Sequence, residues 1–347
     1  DTFTRLPVLR EGVGRLALTV NFADAHIRQL DAELGMDNLL LEQQSQRFAL
    51  PKVDASVQWS AQRGNEQLLI RARHIEGASG LLTRNGRFEY SLTGMKHALR
   101  LQGFNLGGLS AYAAWLPGQW AARLANASLA GDVVNLRYGW QGGWQTPEHW
   151  QGEAEVQGLD LVVPASLQHL GKLDIKTKFD DKTGMATLSS RTFRLNWPGQ
   201  FVEPLTLTRA DAALSWSRMD KGWEVEVSRL ALANAETAVD VSAVYRWQGE
   251  GLGHLDLKGD ITQLPANRVY AYLPRVVGDD TLTWLKTSLL SGRAFNGKAI
   301  VQGELEHFPF ADGSPGLFRI TTDARDVTLS YADDWPSIQS INGSLLF

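Results

Sequence analysis

The sequence predicts a mainly β protein: one long antiparallel meander sheet curled into an elongated open groove, with short broken helices where repeats begin. Three observations carry that expectation. Apolar and polar residues alternate with a period of two through most of the 347 residues, tight-turn residues separate the runs, and helical patterning is confined to two stretches.

The alternation opens with Leu16-Leu18-Val20, then Val53-Ala55-Val57-Trp59, Leu68-Ile70-Ala72 and Phe88-Tyr90-Leu92. It continues through Leu136-Tyr138-Trp140, Leu159-Leu161-Val163, Leu173-Ile175-Thr177-Phe179, Ala212-Leu214-Trp216 and Trp223-Val225-Val227. The last runs are Val239-Val241-Ala243-Tyr245-Trp247, Leu255-Leu257-Gly259-Ile261, Ala299-Val301-Gly303-Leu305, Phe318-Ile320, Val327-Leu329-Tyr331 and Ile341-Gly343-Leu345-Phe347. This spacing predicts about twenty strands. Hairpin turns are expected at "RNGR" around Asn85-Gly86, at "DDKTG" from Asp180 to Gly184, and at "MDKG" ending on Gly222. Consecutive strands should therefore be paired neighbours.

Helical patterning appears first in "LSAYAAWLPGQWAARLANASLAG", opened by Ser110, broken at Pro117-Gly118 and ended near Gly131. It returns in "LPANRVYAYLPRVVGDDTLTWLKTSLLSG", with Pro265 in the first turn, a break near Pro274, a restart capped by Asp280 and a stop at Gly292. Trp284, Leu285 and Leu289 should form the apolar stripe of the second helix. The two stretches resemble each other: Tyr112, Trp115-Leu116-Pro117, Leu129 and Gly131 answer to Tyr270, Tyr272-Leu273-Pro274, Leu289 and Gly292. The expected organisation is a β-groove segment with a partial repeat over 1–108, a repeat with an N-terminal broken helix and antiparallel strands over 109–263, and a truncated next repeat over 264–347.

Alternating strands have one dry face, and something must lie against it. The helical stretches hold about fifty residues, too few to cover so many strands. A facing sheet would show the same alternation, so periodicity alone does not reject a sandwich. Hairpin-linked strands without long crossovers favour one continuous meander, which curls through its own twist into a trough. The lining expected on its concave face comprises Leu214, Trp216, Val225, Val227, Val239, Val241, Ala243, Leu255, Leu257, Ile261, Val301 and Leu305. Trp59, Trp140, Trp216, Trp223 and Trp247 fall in register with the apolar runs and are read as wall residues, not as sugar-stacking rings.

Little points to chemistry. A formal net charge of -4, from 34 Lys+Arg against 38 Asp+Glu without long runs, gives no nucleic-acid partner. The absence of cysteine removes disulfides, thiolate metal sites and cysteine nucleophiles. The seven histidines lack metal-ligand spacing, and Asp180-Asp181, Asp279-Asp280 and Asp333-Asp334 lie in turn or cap contexts. "GEGLG" at Gly249 to Gly253 joins two strands and is a loop. No catalytic residue, metal or cofactor is expected, and the protein is read as a non-enzyme. No apolar run approaches a membrane span, and the chain reads as a segment of a longer protein.

The C-terminal third carries a family resemblance. "YAYLP" (Tyr270 to Pro274), "WLKTSLLSG" (Trp284 to Gly292), "HFPF" (His307 to Phe310), "GLFRI" (Gly316 to Ile320) and "LSYADDWPSI" (Leu329 to Ile338) occur in the order that resembles AsmA-like proteins of the YhdP type. The resemblance is strongest over residues 260–347 and implies an internal segment of a bridge-like lipid transfer protein with a repeating β-groove. Such proteins belong to the Gram-negative cell envelope, are anchored in the inner membrane, span the periplasm and carry phospholipid towards the outer membrane, supporting its integrity. The implied partners are phospholipid acyl chains, with membranes contacted through parts outside this segment. The other reading is a structural or adaptor β-solenoid of the cell envelope, with a packed core and no lipid transport.

Overall fold

A period of two sends successive side chains to opposite sides of an extended chain. The protein is mainly β, and the nineteen strands among the described residues belong to one antiparallel sheet. The computed structural model describes residues 8–43, 46–110, 128–143, 147–162, 169–310, 313–332 and 334–346. Of the first copy of the expected helical repeat, residues 111–127, with Tyr112, Trp115, Leu116 and Pro117, lie outside the described residues. At its two ends the expectation is corrected: Ser110 is the last residue of a helix that begins at Leu106, not an opening cap, and Leu129 and Gly131 already belong to the strand Ser128–Gly142. No helix among the described residues is long and apolar enough to cross a membrane.

The chain divides into two units, Asp1–Leu161 with Ile175–Asp181 and Val162–Asp174 with Lys182–Phe347. In the first, β1 (Val8–Ala23), β2 (His26–Gln43), β3 (Gln46–Gln62), β4 (Asn65–Gly77), β5 (Gly80–Thr93), β6 (Lys96–Asn105) and β7 (Ser128–Gly142) pair each with the next. The helix α1 (Leu106–Ser110) follows β6, and β8 (Pro147–Val162) follows β7.

Next come β9 (His169–Asp180), β10 (Thr183–Ser190), β11 (Phe193–Asn196) and β12 (Leu205–Leu207). In the second unit β13 (Arg209–Arg218), β14 (Trp223–Ala233), β15 (Ala238–Trp247) and β16 (His254–Pro265) form a meander. It continues through β17 (Leu289–Glu304), β18 (Gly316–Leu329) and β19 (Ile338–Leu346). Between β16 and β17 stand 3-10 turns at Ala266–Arg268 and Arg275–Val277 and the helices α2 (Val269–Tyr272) and α3 (Asp279–Ser288).

Among the described residues, the pairing of consecutive strands is interrupted around β10 to β12. β10 pairs with β13, while β11 and β12 make a small hairpin against His169 to Gly171 of β9. The turn from Trp197 through Phe201, between the two strands of this hairpin, is closed by hydrogen bonds from the Gln200 and Phe201 amides to the Trp197 carbonyl.

Several boundaries differ from the sequence reading. "RNGR" is not a hairpin but a bulge inside β5, where Asn85 takes a φ of 60° and the pairing with β6 slips between Thr83 and Arg87. Glycine is required at position 86, because an added Cβ would overlap the Thr83 hydroxyl. The second helix stops at Ser288 instead of Gly292, since Leu289 already has the extended backbone of β17. Gly278, not Asp280, precedes its first turn, and Asp279 there bonds Arg275 at 2.5 Å. Phe318-Ile320 and Val327-Leu329 belong to one bulged strand, β18, which ends before Tyr331.

No large side chain among the described residues is fully buried. Small clusters take the place of a central core. Leu39, Val53, Ala55 and Ala72 form one in the first unit; Tyr270, Ala271 and Leu282, and separately Ala266, Ala324 and Val327, form two in the second.

Candidate functional site

In an antiparallel pair, residues directly opposite share a face, so register shows which side chains meet. In the second unit Leu214, Val227, Ala243, Leu257, Val301 and Phe318 form one continuous row across six strands. The row beside it holds Trp216, Val225, Tyr245, Leu255 and Gly303. On its other side lie Leu230, Val241, Gly259, Ala299 and Ile320, and then Leu232, Val239, Ile261 and Gly297. Of the residues expected to line a groove, all but Leu305 share this face. Leu305 has left the strand and opens a 3-10 turn, Leu305–His307, with its amide bonded to the Gly253 carbonyl.

A bulge explains why part of the face was missed. Val227 and Leu230 are three residues apart and would point oppositely along a regular strand. The register shift between them restores both to the apolar side. Leu230 and Leu232 therefore escaped a strict period-2 reading. Ala186 and Leu188 of β10, which oppose Leu214 and Ala212 in unbroken register, extend the face although they were not among the expected lining.

The opposite face is charged. Arg246 bonds Glu224 at 2.7 Å and Asp256 at 3.1 Å, Lys298 pairs with Asp260 at 3.1 Å, and His254 meets Glu304 at 3.1 Å. Exposed pairs of this kind add little stability, but they identify the wet side. Across the sheet, the apolar rows from Leu214 to Val301 are neither buried nor fully exposed: nearly all are half-buried, and the buried members are Gly259, Gly297 and Gly303. A second sheet packed upon them would have buried the wall side chains.

The first unit repeats the division. Leu18, Ala32, Val57, Ile70, Phe88, Leu101 and Leu136 make a row over seven strands. Next to it Trp59, Leu68, Tyr90, Leu99 and Tyr138 make another. On the reverse, Arg73 bridges Glu33 and Asp54, and Arg87 and Arg100 both pair with Glu89.

Helices close one end of the strands in the second unit. Leu282, 3% exposed, packs with Tyr270 and Ala271, and Leu285 joins them. The expected stripe is thus corrected: Trp284 is 41% exposed and meets Tyr331 edge-on at 6.4 Å, while Leu289 packs in a different cluster. One turn of helix places residues three apart on a common side, which selects Leu282 with Leu285 over Trp284.

A polar clasp fixes these helices to the loops between strands. Tyr270 donates to Glu203 at 2.6 Å, Arg268 donates to the same carboxylate at 3.0 Å, and Tyr272 donates to Glu236 at 2.7 Å. Asn234 donates to the Tyr272 hydroxyl at 2.8 Å. The Tyr270 hydrogen bond, followed by that of Arg268, holds the Glu203 carboxyl below its ordinary range. A depressed carboxylate stabilises the fold above its unfolded pKa of about 4.3, and that contribution is lost as pH falls through the lower folded value. The Tm difference between the wild type and Glu203→Gln should therefore stay constant from pH 7 to about pH 5 and shrink below about pH 4. A difference that persists unchanged into acid would show that the carboxylate's charge is not involved.

Among the described residues no group of His, Asp or Glu could hold a metal ion. What the site offers is a continuous apolar surface with a charged reverse and a helical closure. The family model described as YhdP protein matches residues 3–347. The chain belongs to the YhdP family. It is similar to the "Intermembrane phospholipid transporter YhdP" of Escherichia coli (strain K12), at 20% identity over 167 residues, 48% of this chain and 13% of that protein. The match thus spans a small part of that relative's length. No solved structure matches the chain.

The motifs that suggested the YhdP family fall at the ends of strands. "YAYLP" forms α2 and its exit, with Tyr270 and Tyr272 in the clasp. "HFPF" turns Phe308 against Phe318 at 5.0 Å and lays the Phe310 ring over Gly303 and Gly316. "LSYADDWPSI" presents Tyr331 and Trp335 at the surface, 60% and 68% exposed.

Proposed function

We propose that this chain is a segment of a phospholipid conduit, in which the apolar face forms a groove for acyl chains passing between inner and outer membranes. The observation that carries this reading is the row-by-row apolar face of β13 to β18, half-exposed and backed by ion pairs. A diacyl lipid carries about thirty methylenes, and at about 0.8 kcal/mol each their exposure to water costs some 20 to 25 kcal/mol. A continuous apolar wall removes most of that barrier. Hydrocarbon contact is non-directional, so no single pocket and no chemical step is required.

Membership in a family whose curated relative is an intermembrane phospholipid transporter supports the substrate class and a periplasmic place. The full-length protein would supply the inner-membrane anchor and both membrane contacts. The segments 109–263 and 264–347 are successive repeats in this reading, each opened by a broken helix. A scaffold with a packed core fits less well, because Val241 and Leu257 would then be covered.

Organic extraction of the purified chain followed by mass spectrometry should return diacyl phospholipid in near-stoichiometric amounts. A folded, stable and lipid-free protein would leave the scaffold as the better reading.

A further inference from the structure

The apolar face of the second unit differs from one end of its strands to the other. Near the turns joining β13 to β14 and β15 to β16, it carries Trp216, Trp223, Tyr245 and Trp247. Toward the clasped helices its rows contain Val241, Gly259 and Ala299 instead. The Trp216 ring lies along the sheet, where a Cβ added at Gly184 would overlap it. Two of the polar tips turn to the hairpin backbone, with Tyr245 Oη donating to the Leu252 carbonyl at 2.9 Å and Trp247 Nε1 donating to that of Gly251 at 3.2 Å. Amphipathic rings of this type settle where hydrocarbon meets water.

Arg218 belongs to the same end. It opposes Trp223 in the outermost row, is exposed, and makes no ion pair among the described residues. On the reverse face Arg229 and Arg246 are both paired with carboxylates. A guanidinium beside an apolar surface, free of carboxylate, suits a phosphate. From Trp216 to Ala210 the strand rises about 20 Å over six residues, against about 15 Å for one leaflet's hydrocarbon. The strip is long enough to hold one acyl chain along its strands.

Resting on the conduit reading, we propose that lipids lie across this face in one orientation: phosphate at Arg218, the glycerol region over Trp216, Trp223 and Trp247, and acyl chains directed toward Val241 and Ala299. The hairpin end of the strands is then the headgroup side, and the helix end is the chain side.

The chain has no cysteine, so a single introduced cysteine can carry a fluorophore without background. Label Val225→Cys or Ala299→Cys, confirm unchanged melting, and load with phosphatidylcholine bearing a nitroxide either on the headgroup or near the chain terminus. The headgroup nitroxide should quench the label at 225 at least threefold more than that at 299, and the chain-end nitroxide should do the reverse. Equal or inverted gradients overturn the orientation while leaving the conduit intact. Absence of quenching from either lipid at either position would instead sink the conduit. As a second measure, Arg218→Gln should weaken phosphatidylglycerol and phosphatidylethanolamine loading about tenfold and leave diacylglycerol, which lacks phosphate, unchanged. An equal loss for diacylglycerol would show that Arg218 supports the fold and does not meet phosphate.

Discussion

Leu257→Asp should leave the sheet folded and reduce bound phospholipid about 100-fold. Leu257 lies at the centre of the apolar row, between Ala243 and Val301, and is half-exposed. The new carboxylate can keep water, so the cost of folding is the lost partial burial of one leucine, about 1 kcal/mol. An acyl chain crossing that point would lose apolar contact for three or four methylenes. At about 0.8 kcal/mol each this is about 3 kcal/mol, roughly two powers of ten in occupancy. Circular dichroism melting and extracted lipid, measured on one preparation, separate the two effects. In a closed core the same unpaired charge costs several kcal/mol and unfolds the unit. A collapsed melting transition would therefore favour the packed scaffold. Normal lipid loading in a folded variant would mean that the chains use another surface.

Leu282→Ala should destabilise the second unit by about 3 kcal/mol, whereas Trp284→Ala should cost less than about 1 kcal/mol. The contrast follows from position. Leu282 is 3% exposed beneath Tyr270 and Ala271, so truncation leaves a cavity whose walls are held by the Glu203 and Glu236 clasp. Trp284 is 41% exposed and loses chiefly its edge contact with Tyr331. Urea unfolding followed by far-ultraviolet circular dichroism measures both. Equal losses would indicate that Trp284 has a buried partner in solution.

Much of the β architecture was legible because side-chain direction along a strand depends only on residue parity. Leu255-Leu257-Gly259-Ile261 and Val239-Val241-Ala243 showed their common face without any knowledge of pairing. Leu30-Ala32-Leu34-Met36 in β2 and His97-Leu99-Leu101 in β6 alternate as regularly, but charged residues crowd between them and make the apolar run less distinct. The bulged segments were harder. At Ser228 and Arg229 the parity changes within one strand, and only the partner strand reveals the extra residue. The same holds for Asn85, whose turn-forming chemistry serves a bulge as readily as a hairpin.

By itself, the order of residues determined an antiparallel β protein with one apolar and one charged side, interrupted by a broken helix before Leu289. Those features arise from period, turn residues and proline placement, all local in the chain. Tertiary structure alone decided that β10 pairs with β13, that Leu282 and not Trp284 faces inward, and that Glu203 meets Arg268 and Tyr270 across more than sixty positions of sequence. It also decided that the wall from Leu214 to Val301 stays half-exposed. Alternation is the same whether a second layer covers a dry face or not, so exposure of that face is a property of packing that no local pattern records.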